Sequence, residues 1–289
     1  MTAAVARAPR PVSVASPRRS VSRGLSTAAL VLVTAAFLLP LAWLLLAAFD
    51  ARATYETRLP QELSLDNFAA VLTPQTTFVP LGNSLLLSTA TAAITVLVAL
   101  LAAYPLSRYR SRFHRGVMYG VLFGTCLPIT AIMVPVYSLF VVLDLLDSMP
   151  GTILFLVASS LPMAVFMTKS FMDAVPVTLE EAAWIDGASA MRALRMIVVP
   201  LMRPGIAVVF VFVFLQAWGN FFVPFVLLYS PSKQPAATSI YTFFGQFGSI
   251  AYGQLAAFSL LYSLPVVILY ILASRLIGGS FALAGSVKG

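Results

Sequence analysis

Three carboxylates and two small residues occupy one short polar segment of an otherwise apolar chain. Glu180, Glu181 and Asp186 lie within seven positions, and Ala182 and Ala183 stand among them. Carboxylates at this spacing can accept charge-assisted hydrogen bonds from a basic groove, and alanines let the backbone of a partner come close. The segment therefore predicts a surface that docks onto a partner protein. An ordinary amphipathic surface helix is the alternative interpretation.

A second group of polar side chains lies inside the apolar runs and carries no charge. Gln216 and Asn220 are four positions apart and share one face of a helix, with Trp218 between them, and Asn83 and Ser84 stand near the start of another run. Amide, hydroxyl and indole groups can bind a hydroxyl-rich solute. We predict that these five residues line a solute path; hydrogen bonding between helices is the alternative.

The composition places both groups in a membrane protein. Of the 289 residues, 60% are hydrophobic and 10% are charged, whereas a soluble domain keeps about a quarter of its residues charged. A helix needs about 20 apolar residues to cross the hydrocarbon core. We predict an all-α membrane protein with six transmembrane helices over residues 25–277. Asp, Glu, Lys and Arg stand only at the ends of the six runs: 25–49, 81–106, 116–143, 151–171, 204–228 and 255–277.

Basic residues are distributed unevenly among the connections. If both termini are cytoplasmic, fifteen of the eighteen Lys and Arg residues lie on the cytoplasmic side of the inner membrane, as the positive-inside rule requires. We therefore predict that orientation and no nucleic-acid partner. Residues 1–24 lack periodic apolar residues and are predicted to form a disordered cytoplasmic arm attracted to membrane lipid. Residues 278–289 are predicted to form a cytoplasmic tail.

The docking segment lies in the cytoplasmic connection between the fourth and fifth runs and is predicted to form two helices. Thr178 and Glu181 have the spacing of a capping box at the start of the first helix. Gly187 supplies its stop, and Ser189 can cap the second helix. Pro200 is expected to end that helix. A short rigid element thus projects between two spans.

Seven positions of this loop, residues 173–203, have a fixed spacing: Glu181, Ala182, Ala183, Gly187, Ile197, Val199 and Pro200. The pattern resembles the EAA motif of permease subunits in binding-protein-dependent ATP-binding-cassette importers, although the family often has Leu where Val199 stands. A narrower resemblance, to the second permease of carbohydrate importers of the maltose-transporter type, rests on EEAAWIDGAS, on the GNS of residues 82–84 and on the terminal GSVKG. The fifth run departs from that subfamily, since no acid follows Asn220.

The resemblance implies a type I importer permease fold and a coupling helix held in a cleft of the ATPase. It assigns the coupling role to Glu180, Glu181, Ala182, Ala183, Asp186, Gly187 and Ser189. It also implies that the outer loop before the last run enters an extracytoplasmic sugar-binding protein, through Phe244, Gln246, Phe247 and Tyr252. The other implied partners are a homologous second permease and two ATPase subunits.

Energy is expected to come from outside the chain. The sequence lacks the phosphate loop GxxxxGK followed by Ser or Thr, so we expect no cofactor in this chain and assign ATP and Mg²⁺ to the ATPase. No metal site is expected, because Cys126 and His114 are the only residues of their types. The chain itself is expected to be non-catalytic.

The sequence therefore predicts a permease subunit that moves a disaccharide, an oligosaccharide or a related polyol, driven by ATP hydrolysis on a separate subunit. A glycerol-phosphate compound is the alternative substrate within this class. A self-sufficient secondary transporter or channel and a membrane-assembly factor are alternatives from other classes. A proton-driven transporter is disfavoured because no run holds an ionisable residue away from its ends.

Overall fold

The computed structural model describes residues 17–56, 59–60, 62–109, 114–126, 128–244 and 250–285. These residues contain no β-strand, only two isolated bridges, so the all-α prediction is confirmed. Two π-helical segments, Pro74–Phe78 and Leu194–Val198, and one 3₁₀ turn, Ile240–Phe243, supplement the α-helices. The α-helices are α1 (Pro17–Ala48), α2 (Asp66–Val71), α3 (Val79–Arg108), α4 (His114–Thr125), α5 (Ile129–Val142), α6 (Met149–Asp173), α7 (Val177–Ile185), α8 (Ala190–Ala193), α9 (Val199–Leu201), α10 (Arg203–Trp218), α11 (Phe222–Leu227), α12 (Ala236–Ser239) and α13 (Tyr252–Gly285).

In the described part of the chain, four helices are long and apolar enough to cross a membrane: Ser26–Ala48 within α1, Pro74–Arg108 ending in α3, α6, and Tyr252–Arg275 within α13. A fifth candidate is the pair Ala190–Leu201 and α10, which is bent by 80°. The predicted six-helix count is therefore met only in part. The third and fifth apolar runs are each divided into shorter helices.

Both divisions have a local cause. Pro128 lies between α4 and α5 with an extended backbone, where it cannot donate a helical hydrogen bond. In the fifth run α10 ends at Trp218, and the backbone is not helical again until Phe222. Non-helical backbone at membrane depth is tolerated only against protein or beside a water-filled cavity. The breaks therefore mark surfaces that face away from lipid.

Helix α3 forms the centre of the bundle. Its buried positions recur every three or four residues, and in the main core cluster Ala92, Val96 and Ala99 pack with residues of α6 and α10. Short side chains at such an interface let helices approach closely without a hydrophobic driving force from lipid. Helix α1 packs mainly against α13. Helix α3 thus packs chiefly between α6 and α10.

The chain ends differ from the predicted domain limits. The described part of α1 begins at Pro17, within the predicted arm of residues 1–24, and the disorder of that arm stays a prediction. Residues 1–16 lie outside the described part of the chain. Helix α13 extends to Gly285 and includes most of the predicted tail.

We predict that Gly205→Ala destabilises the bundle by roughly 1–3 kcal/mol. A Cβ on Gly205 of α10 would lie 2.6 Å from the Phe171 ring, whereas a Cβ on Gly82 of α3 would meet nothing within 4 Å. Gly82→Ala is therefore the matched control. Thermal unfolding of the purified chain in detergent should show a lower Tm for Gly205→Ala alone. Equal Tm values for the two variants would contradict this packing.

Candidate functional site

The predicted two-helix element is present between α6 and α10. Its first helix, α7, follows Pro176, and its reversal occurs at Gly187, whose φ of 83° favours glycine. The Ser189 hydroxyl accepts a hydrogen bond from the Arg192 N–H at 3.3 Å. The predicted stop at Gly187 and the predicted cap at Ser189 are therefore confirmed.

Two other local predictions for this element are wrong. Residue Pro176 occupies the N-cap of α7 and no side chain caps it, so Thr178 and Glu181 form no capping box. The second helix also continues through Pro200 to Leu201. Because Pro200 lies in the first turn of α9, directly after a π-helical segment, its missing N–H breaks no regular ladder.

Glu180 is buried and points back into the chain. Its side chain is fully buried, and its Oε1 accepts a hydrogen bond from Arg108 Nε at 2.6 Å. Its Oε2 accepts one from the Tyr104 hydroxyl at 2.8 Å. Arg108, itself only 3% exposed, also donates to the carbonyl of Val175. In this structure Glu180 therefore faces α3 of its own chain, and its coupling role stays a prediction.

Arg108 and Tyr104 were missed as site residues by the sequence analysis. They lie four positions apart at the end of α3 and so share a face of the helix. That spacing was the only available signal, since Glu180 is 72 residues beyond Arg108. Removing one member of a buried ion pair strands the other charge at a cost of about 3–5 kcal/mol. The pair thus fixes α7 firmly against α3.

The other predicted coupling residues lie where a partner can reach them. Glu181, Ala182, Asp186, Gly187 and Ser189 are exposed, and Ala183 is half-buried. Large apolar side chains are exposed beside them, and Ile185 is 87% exposed. An apolar surface of this kind with an acidic border is typical of an interaction site. Exposed apolar neighbours of the carboxylates are Leu179, Trp184 and Met191.

A cavity of about 510 Å³ lies where α6 and α10 meet the break between α4 and α5. Gln216 and Asn220 both line it, as their shared helix face predicts. Ser159 and Ser160 of α6 line it as well and were not predicted. The Asn220 side-chain oxygen also accepts a hydrogen bond from the Val223 N–H at 3.0 Å. The structure thus places two amides and two hydroxyls around one space.

Trp218 does not line this cavity. It is 3% exposed, and its ring stacks between Phe214 and Tyr262 with centroid distances of 5.5 and 5.2 Å. Its carbonyl accepts a hydrogen bond from the Tyr262 hydroxyl at 2.7 Å. The indole therefore belongs to the hydrophobic core in this structure, and the path role of Trp218 stays a prediction.

Asn83 and Ser84 hold an outer loop instead of lining the cavity. The Asn83 amide nitrogen donates to the carbonyls of Ser232 at 2.9 Å and Gln234 at 3.1 Å. The buried Ser84 hydroxyl accepts from the Ala236 N–H at 2.8 Å. Both side chains are bonded to the loop in this structure, and the path role of the two residues stays a prediction.

Asp147 anchors the same outer loop from the turn between α5 and α6. Its carboxylate accepts hydrogen bonds from the backbone N–H of Tyr229 and Ser230, from the Ser230 hydroxyl and from Lys233 Nζ, the last at 2.8 Å. Burial favours the protonated form, but the hydrogen bonds from Lys233 and Ser230 outweigh it and hold the pKa of Asp147 well below its usual range. The loop is therefore fixed by a charged anchor.

The predicted binding-protein contacts fall partly within the described chain. Phe244 is 46% exposed and bridges to Ile250. Tyr252 begins α13, and its ring lies 6.4 Å from that of Tyr55. Gln246 and Phe247 lie outside the described residues. Their role stays a prediction.

The chain is similar to a known protein family and to several individual proteins. Residues 95–278 match the family model described as binding-protein-dependent transport system inner membrane component. The inner membrane ABC transporter permease protein YcjP of Escherichia coli (strain K12) is 32% identical over 96% of this chain and 100% of its own length. The diacetylchitobiose uptake system permease protein NgcG of Streptomyces coelicolor is 30% identical over 89% of this chain and 86% of its own length.

A solved structure shows the same fold. It is that of a bacterial ABC transporter involved in the import of the acidic polysaccharide alginate, with a TM-score of 0.78 and 18% sequence identity over 92% of this chain and 99% of the other. The family match covers more than half of the chain and includes the coupling loop, the cavity and most of the six apolar runs. The chain therefore belongs to the family of binding-protein-dependent transport system inner membrane components.

Proposed function

We propose that this chain is the permease subunit of a carbohydrate importer driven by ATP hydrolysis on a separate subunit. Relatives similar to it are named as permeases for diacetylchitobiose, glucose and trehalose. The proposed substrate is a disaccharide, an oligosaccharide or a related polyol. The proposed partners are a homologous second permease, two ATPase subunits that hold ATP and Mg²⁺, and an extracytoplasmic sugar-binding protein.

The observation that carries the proposal is the exposed surface of α7. Glu181 and Asp186 flank the 87% exposed Ile185 on a helix that is fixed from behind by a buried ion pair. A rigid, partly apolar helix of this kind suits a groove in another protein. A self-sufficient transporter or channel would leave that surface without a partner, which favours the importer.

The cavity supports a neutral, hydroxyl-rich solute. Two amides and two hydroxyls line it beside the aromatic rings of Phe155 and Phe212. Among the described residues that line it there is no Asp, Glu, Lys, Arg or His. A phosphate group would require cationic partners. The lining therefore favours a sugar or polyol over a glycerol-phosphate compound.

The two sides of the molecule are assigned by charge. The loop that contains α7 would be cytoplasmic, together with both termini, because Lys and Arg accumulate there. The loop held by Asp147 and Asn83 would then face the binding protein, and it leads to Phe244 and Tyr252. In this orientation the ATPase and the sugar donor act at opposite ends of the same bundle.

Glu181→Lys is predicted to lower sugar uptake about tenfold or more, because a reversed charge at a docking surface repels a basic partner groove. Glu62→Lys is the matched control, since Glu62 is an exposed carboxylate in the connection between α1 and α2. Uptake of radiolabelled trehalose, glucose and diacetylchitobiose by cells that carry each variant as the sole copy provides the measurement. Wild-type uptake by Glu181→Lys would argue against docking through α7.

Gln216→Leu is predicted to raise the KM for uptake about tenfold, since the loss of one hydrogen bond to a desolvated solute costs roughly 1.5 kcal/mol. Leu215→Met is the control, because Leu215 is exposed on the same helix and lies outside the cavity. The readout is the concentration dependence of uptake at matched expression. An unchanged KM in Gln216→Leu would remove this cavity from the proposed path.

A further inference from the structure

Helix α3 is bonded at both ends to loops on opposite sides of the bundle. Arg108 and Tyr104 bind Glu180 of α7 at one end. Asn83 and Ser84 bind the outer loop at the other. The 25 steps along the helix from Asn83 to Arg108 span about 38 Å at 1.5 Å per residue. One continuous helix thus joins the proposed coupling surface to the proposed binding-protein side.

The inner end cannot detach from α7 easily. Separating Arg108 from Glu180 would leave two uncompensated charges in a site where both side chains are buried. The last turn of α3 is also hydrogen-bonded to the segment that precedes α7. The Ser107 hydroxyl donates to the Asp173 carboxylate at 2.6 Å, and Arg108 donates to the Val175 carbonyl at 3.2 Å. A displacement of α7 must therefore carry the end of α3 with it.

The outer end of α3 is bonded just as directly to a functional segment. Asn83 and Ser84 together make three hydrogen bonds to backbone groups of residues 232–236. That segment continues through α12 and the 3₁₀ turn to Phe244. The neighbouring Lys233 is bonded to Asp147. A shift of α3 would therefore pull the outer loop against its Asp147 anchor.

The middle of α3 carries no comparable polar link. Ser88, Thr91 and Thr95 are fully buried there, yet their hydroxyls have no hydrogen-bond partner among the residues that the structure describes. Ala92 and Ala99 complete a face of short side chains. Such a face permits small sliding of one packed helix on its neighbours. Among the described residues, the helix is thus bonded at its ends, while its three buried central hydroxyls make no hydrogen bond.

We propose that α3 acts as a rod that carries conformational change between α7 and the outer loop, with Tyr104 and Arg108 as positioning residues that act through Glu180. The inference rests on the proposed function. Neither residue touches solute or nucleotide; their role is to make α7 and α3 move together. Asn83 and Ser84 deliver that movement to residues 232–236.

The test is a double-mutant cycle on the complete importer in proteoliposomes, with the binding protein added outside and ATP inside. The inner variant is Arg108→Met with Glu180→Met, which removes the polar link without stranding a charge. The outer variant is Asn83→Ala. Each should lower ATP-driven uptake about tenfold, and their combination should also give about tenfold, since both interrupt one path. Two independent defects would instead multiply to about a hundredfold.

Two further variants serve as controls for the double-mutant cycle. Tyr104→Phe removes a single hydroxyl and should lower uptake in the same direction if the inner variant does not fold. Arg52→Gln removes an arginine from an exposed ion pair away from α3 and should leave uptake unchanged. The probes are trehalose, glucose and diacetylchitobiose. If the wild-type complex imports a probe sugar but the defects of the inner and outer variants multiply, the rod is overturned and the proposed function stands. If the wild-type complex imports none of the three sugars, both the rod and the proposed function are contradicted.

Discussion

A buried charge requires a partner, and Glu180 and Arg108 meet that requirement for each other across 72 residues of sequence. Their bond determines how α7 is presented. Because Glu180 faces α3, the next carboxylate along the helix, Glu181, faces outward, and the apolar Ile185 stands beside it in solvent. The orientation of the proposed docking surface therefore follows from one ion pair.

The interruptions of two apolar runs have a comparable consequence inside the membrane. Pro128 and the non-helical residues after Trp218 leave backbone groups that lipid cannot satisfy. The same region carries the cavity with its two amides and two hydroxyls. Broken helices, polar side chains and empty space thus occur together, as expected of a path for a polar solute and not of a uniform lipid-facing bundle.

The sequence predicted what depends on local composition. Apolar runs located the spans, and single residues with strong backbone preferences, Gly187 and Ser189, located the turn and cap of the coupling loop. Where the structure places a side chain differently from the sequence-based expectation, packing against distant residues is the reason. Glu180 is buried by a partner on α3. Trp218 is taken into an aromatic stack with Tyr262, which lies 44 residues away. The spacing of residues within a single apolar run cannot predict contacts between residues so far apart in the sequence.

The central claim is that α7 docks onto an ATPase subunit, and crosslinking tests it most directly. In a Cys126→Ser background, an Ile185→Cys variant would be assembled into the working importer, labelled with benzophenone maleimide and irradiated, so that the attached benzophenone inserts into C–H bonds of any protein within reach. The account predicts a crosslink to the ATPase subunit from Ile185→Cys. It predicts no such crosslink when the single cysteine is placed instead at Tyr55, in the connection between α1 and α2. An active complex in which Ile185→Cys never crosslinks to the ATPase would contradict the claim.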